Sequence, residues 1–368
     1  MNEPAAGAGG EIHGLDGSSA RETALWEAAD GMLGGASLGG ILAHRLGPLA
    51  GKRFRALGRQ VPKELREEER AAALAMMSAG PLIERIRSAT DLPLVVIKGP
   101  VLAKLYPAQA RRFIDVDVLT TDADSVQRSL LGDGFVEDPD PGQDLTDEHH
   151  HLQPIRWPAL PLKVEVHARP ALPTRARRVP FEEILEASVP ADLGVEGILA
   201  PSPQHHALIL ASHAWLHTPL ATLRDMIDIA AVSAQANESE LARTATAWGV
   251  DRLWRTTRNA IDGLFYDGPR SVPLRTWARH LEGVRERTVL EAHLQRWLDP
   301  FWELPLHAAL AVLPRVLRAE VAPAPGDTGR DKLRRMVRAI RAPRASAPRG
   351  ARGAGPPAGK RDAEPPLR

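Results

Sequence analysis

The sequence predicts an α+β fold: a mixed-sheet core, preceded by helices and followed by a helical domain. Three observations carry that prediction. Short apolar runs at residues 94–97, 114–120 and 162–167 have the length and alternation of strands. A helical pattern over residues 122–134, with Val126, Leu130 and Leu131 facing inward, lies between the second and third runs. From Phe181 to Val321 the apolar spacing is helical throughout. No G-x-G-x-x-G follows a strand, which excludes a dinucleotide fold.

Taken in order, residues 1–18 read as a disordered N-terminus and 19–90 as a helical section. A helix is expected from Ser19, with Leu25, Ala28, Ala29, Met32 and Leu33 at helical spacing, until Gly34-Gly35. One or two turns follow at residues 41–46. Pro62 suits the first turn of a helix through Ala79, which Gly80-Pro81 should end before a short helix with Leu82, Ile83 and Ile86. Met76 and Met77 are expected in the core.

The core is placed at residues 91–180. Val95 to Tyr106 reads as a buried strand, a Lys98-Gly99-Pro100 turn and a short helix, and Arg111 to Thr120 as an entry and a second strand. Period two puts Asp115 and Asp117 on one face, with Ile114, Val116 and Val118 turned to the core. Two like charges side by side at the edge of an apolar strand are costly unless a cation sits between them. In LKVEVHARP, Glu165 and His167 share a face opposite Val164 and Val166. If that strand pairs beside the Asp115 strand, Glu165 completes a three-carboxylate set with Asp115 and Asp117, suited to Mg2+. Such a set supports phosphoryl or nucleotidyl transfer, with an Asp or Glu, in preference to His167, as general base. His167 is expected to contact phosphate or to orient Glu165. Gly99 lets the backbone approach a ligand, the amides at the next helix start favour phosphate, and Lys98 adds a positive charge. Strand parity favours Arg111 over Arg112 beside the acids. One of His149, His150 and His151 is expected to line the substrate pocket.

Read together, Lys98-Gly99, Leu105-Tyr106, Arg112, Asp115 with Asp117, and Glu165 with His167 resemble the pattern of the poorly characterised bacterial nucleotidyltransferase-like proteins of the polymerase-beta-type superfamily. The resemblance covers residues 60–235. It implies Mg2+-dependent transfer of an NMP group from an NTP, ATP first, to a hydroxyl on a small molecule, a peptide or an RNA end. It also implies that Asp115, Asp117 and Glu165 hold the metal while Lys98, Gly99, Arg112 and His167 meet the nucleotide, so it selects Arg112 where parity selects Arg111. One position departs from the superfamily: Gly99 is followed by Pro100 where members of defined activity usually carry Ser. The hydroxyl that would contact a phosphate is missing. A second class compatible with the sequence is therefore a non-catalytic nucleotide- or partner-binding protein with a degenerate site. Arg224 and Asp228 resemble the family's helical LR-x-x-x-D pattern and are expected to form an i,i+4 ion pair.

Residues 181–321 are assigned to the helical domain. PFEEILEAS reads as a short helix and VEGILAPSP as a link. Ser202 to Val232 follows as two helices broken near Thr218-Pro219, with His206, His213 and His217 roughly along one face as core or interhelical residues. The absence of H-E-x-x-H excludes a zincin. Helical pattern resumes from Glu238 through Tyr266 with a break at Gly263, then at residues 274–281, 291–298 and 306–321, the last kinked at Pro314. Residues 322–368 form a basic, mostly disordered tail: from Arg330 onward 12 Lys or Arg face 3 Asp or Glu, although the whole chain is only +1. Such an arm attracts an acidic partner or nucleic acid, or simply solubilises; it lacks the aromatic residues that stack bases. Cys is absent, which excludes disulfides and thiolate metal sites. No apolar run reaches 18 residues and the N-terminus lacks a signal pattern, so a cytoplasmic protein with no membrane partner is expected.

Overall fold

The chain enters its sheet through helices. In the computed structural model, which describes residues 15–138, 152–303 apart from 174, 175 and 178, 306–321, 328–332, 334 and 337, these are α1 (Leu15–Gly34), α2 (Leu38–Ala43), α3 (Gly47–Ala56) and α4 (Lys63–Ser88). Helix α1 starts four residues ahead of Ser19, and α3 forms where Gly47-Pro48 suggests only a break, because Pro48 sits in its first turn. Helix α4 corrects a second expectation. It runs unbroken through Gly80-Pro81, since Ser78, Ala79, Leu82, Ile83 and Ile86 on both sides of the proline bury one continuous stripe. That burial outweighs the hydrogen bond Pro81 removes. Met77 is 75% exposed on the opposite face, not in the core.

Strand β1 (Leu94–Val96) is fully buried and is followed by α5 (Pro100–Ala103), β2 (Asp115–Leu119) and α6 (Ala123–Gly132). The α6 start is fixed by Asp122, whose side chain accepts the Ser125 amide. Then come β3 (Val136–Glu137), β4 (Ile155–Arg156), β5 (Lys163–His167), α7 (Phe181–Glu186), β6 (Val189–Pro190) and β7 (Ile198–Ala200). The strands make one seven-stranded mixed sheet ordered β3-β4-β5-β2-β1-β7-β6. β1 runs antiparallel to β2 and parallel to β7, while β2 and β5 are parallel neighbours. The fold is thus mixed α/β, and its sheet takes two strands from residues 189–200, within the stretch the sequence reads as helices and a link. Ile114 is 56% exposed, not turned to the core, because β2 begins one residue later.

The rest is helical: α8 (Pro203–His217), α9 (Leu223–Ser233), α10 (Glu238–Ala247), α11 (Asp251–Phe265), α12 (Val272–Arg275), α13 (Arg279–Glu282), α14 (Val289–Leu298), α15 (Pro300–Glu303) and α16 (Leu306–Val321). The break expected at Gly263 falls earlier, at Gly249, where φ is +72°; Gly263 lies inside α11. Helix α8 is buried on nearly every side up to Trp215 and packs against α9, α10 and α11. Each fully buried Leu or Ile of this core contributes roughly 1.5–3 kcal/mol. The described residues fall into two units, one within Met1–Glu320 and one within Val321–Arg368. In the second, Thr328 accepts the Asp331 amide at the head of a helical turn. Residues 1–14, His149, His150, His151 and most of the tail lie outside the described residues. Among the described residues no helix is long and apolar enough to cross a membrane.

Candidate functional site

The parallel register of β2 and β5 builds the site. Asp117 pairs with Glu165 and Leu119 with His167, so the side chains alternate to the same faces of adjacent strands. Among the described residues, one group of three potential metal ligands arises, Asp117, Glu165 and His167, whose ligand atoms lie within 4.8 Å of one another. His167 Nε2 is 3.1 Å from Asp117 Oδ1, to which it donates, and 3.8 Å from Glu165 Oε2. Asp115, one pleat earlier on the same strand face, is not one of the three.

Electrostatics distinguish the two aspartates. Burial pushes the Asp115 carboxyl up, and the Asp117 charge beside it adds to the shift. Asp117 is 1% exposed, which also favours its neutral form, but the Lys98 ammonium and the His167 hydrogen bond outweigh that burial and hold it well below the usual carboxylate range. Asp117 Oδ2 is buried and has no hydrogen-bond partner. A carboxylate kept ionised with one bare oxygen fits a cation ligand.

Lys98 and Gly99 follow β1. Lys98 Nζ lies 3.6 Å from Asp117 Oδ1 and 2.7 Å from His213 Nε2. Gly99 adopts φ +66°, and a Cβ there would stand 2.6 Å from the Asp115 carbonyl oxygen, so the turn is closed to other residues on both counts. The structure therefore brings Lys98, Gly99, Asp115, Asp117, Glu165 and His167 together. Arg112 goes elsewhere: its Nη1 donates to Glu68 on α4 at 2.7 Å.

It is Arg111 that turns inward. Its Nε and Nη2 each donate to Asp228 at 2.8 Å, and Nη1 reaches the Gly99 carbonyl at 3.3 Å. Tyr106 Oη donates to the same Asp228 at 2.7 Å. Arg224 is 3.6 Å from Asp225, so the expected Arg224–Asp228 pair is replaced by a long-range bidentate one. Helix α8 contacts the residues that follow β1: His206 Nε2 donates to the Ile97 carbonyl at 2.8 Å, and His213 meets Lys98. Strand parity singles out Arg111. Nothing local marks His213 as a site residue beyond its spacing of four from His217.

A family model described as uncharacterised nucleotidyltransferase matches residues 41–262, a span that contains every residue of this site. No curated protein matches the chain.

Proposed function

Because the chain belongs to the uncharacterised nucleotidyltransferase family, whose reaction class is transfer of nucleotide groups, we propose that this site moves an NMP group from an NTP, ATP first, to a hydroxyl acceptor with the help of Mg2+. The observation that supports it most is the ionised, buried Asp117 with a bare Oδ2, set in register with Glu165. Asp117 and Glu165 would hold the ion, with Asp115 beside them, and hard oxygen donors suit Mg2+. When bound, Mg2+ supplies charge neutralisation at the reacting phosphate. His167 orients Asp117 through its 3.1 Å hydrogen bond, and Lys98 offers a cation to the polyphosphate. Glu165, 18% exposed at its side chain, would take the acceptor's proton. Gly99 would admit the backbone close to the nucleotide, and Arg111 braces that turn through the bond from its Nη1 to the Gly99 carbonyl. A Cys-free composition is in keeping with cytoplasmic residence.

Calorimetric titration with ATP, GTP, CTP and UTP, with and without Mg2+, tests the reading beside a labelled-NTP transfer assay. Ion-dependent binding is expected in wild type and its loss in Asp117→Asn. Glu165→Gln should lose more turnover than binding. Failure of all four nucleotides to bind would overturn the proposal. The missing hydroxyl at Pro100 favours one second reading, a binding protein without turnover, and ion-dependent binding with no transfer to any acceptor assigns the chain to it.

A further inference from the structure

Lys98 poses a problem of partner choice. Its ammonium stands 3.6 Å from Asp117 Oδ1 but 2.7 Å from His213 Nε2. Charge-assisted N–H···O bonds close to about 2.7–2.9 Å. The ammonium has therefore made contact with the imidazole and stopped short of the carboxylate, although Asp117 is buried and its Oδ2 has no hydrogen-bond partner. An amine on a flexible four-carbon stem would ordinarily close on such a group, because an incompletely paired buried charge is costly.

His213 supplies the reason. A ring nitrogen that accepts from an ammonium carries no proton, so the His213 proton sits on Nδ1. His217, one helical turn on, brings its Nε2 to 3.2 Å from the same nitrogen with the ring centroids 4.4 Å apart, and so packs against the His213 ring and restricts its rotation. Both histidines ride on α8, whose buried face ties them to the body of the protein.

We propose that His213 is a holding site for Lys98: it keeps the ammonium off Asp117 and so leaves that carboxylate open to a divalent cation. His213 is a positioning residue here, touching neither ion nor substrate, and the inference rests on the metal reading above. Removing its acceptor lets Lys98 close on Asp117 and occupy the place of the cation.

Mn2+ alone, titrated into the full chain and followed by electron paramagnetic resonance, tests this without any turnover. His213→Ala should weaken Mn2+ binding about tenfold or more, the size typical of residues that position ligands. His213→Gln, which keeps an acceptor oxygen, should retain most of the affinity. The deciding variant is Lys98→Met with His213→Ala, in which nothing remains to close on Asp117 and binding should return to the wild-type range. A merely structural role for His213 gives no such rescue. Wild-type affinity in His213→Ala, or a double variant as weak as His213→Ala, overturns the inference and leaves the metal reading intact. A wild type that binds no Mn2+ overturns both.

Discussion

Asp228 answers a buried guanidinium. Arg111 is 5% exposed and Asp228 likewise, and both carboxylate oxygens accept from Arg111 while Tyr106 adds a third donor. Burial works against the charged form of each partner, yet their mutual attraction holds Asp228 below and Arg111 above the ordinary value. Asp228→Asn keeps the shape and removes the charge, so it should cost about 3–5 kcal/mol in a urea titration. Tyr106→Phe should cost about 1.5–3 kcal/mol, the worth of one hydrogen bond to a charged group. Gly99→Ala is expected to be comparably harmful, about 1–3 kcal/mol for the positive φ alone, and to weaken ion binding because the Asp115 carbonyl must move away from the new Cβ. The sequence exposes the carboxylate half of this chemistry and hides the rest. Asp117 and Glu165 are legible because strand alternation and one pairing assumption suffice to place them. The Arg111–Asp228 contact joins residues 117 apart in the chain, whereas a reading along one helix offers Arg224 at i,i−4 and stops there.

Among the elements, α4 shows how packing overrides local signals. Gly80 has ordinary helical backbone and nothing within 4 Å of where a Cβ would stand. Gly80→Ala should therefore stabilise the protein by about 0.5–1 kcal/mol, read as a higher urea midpoint. A fall would mean that the helix needs its flexible joint. The same Gly-Pro pair reads as a stop in isolation, because the dipeptide carries the breaker chemistry while the buried stripe on both sides becomes decisive only after folding. β7 escapes sequence reading for the opposite reason. Three residues, Ile198–Ala200, give too little alternation to reveal a strand, and Gly197 and Pro201 frame them as a link. Pairing with β1 on one side and β6 on the other gives those residues their conformation.

For the molecule as a whole, buried histidines set the response to acid. Burial pushes His206 and His280 down to about 4 and lowers His44 and His205 as well. At His44 a contact adds to burial: Nδ1 accepts the Leu223 amide at 2.9 Å, so a proton added there has no place, while the bond from Nε2 to the Arg285 carbonyl at 2.8 Å opposes the lowering. The unfolded chain binds more protons than the folded one wherever pH lies between the ordinary histidine value of 6.5 and these lowered values. Stability should hence be fully present above pH 6.5 and fall as the pH drops toward 4. Below 4.5 Glu291, held down to about 2 by Arg285 and the Thr288 cap against the opposing effect of burial, extends the loss. Urea midpoints measured at intervals from neutral pH to acid check this, and His206→Gln should flatten the profile. The parallel pairing of β1 with β7 has a consequence for the order of assembly. A ribosome delivers the strand that carries the Lys98 turn roughly a hundred residues before the strand that seals its open edge, a wait of about 5–20 s at ordinary elongation rates. For that interval the N–H and C=O groups along this edge of β1 have no strand to pair with, the condition in which an edge can pair with another chain.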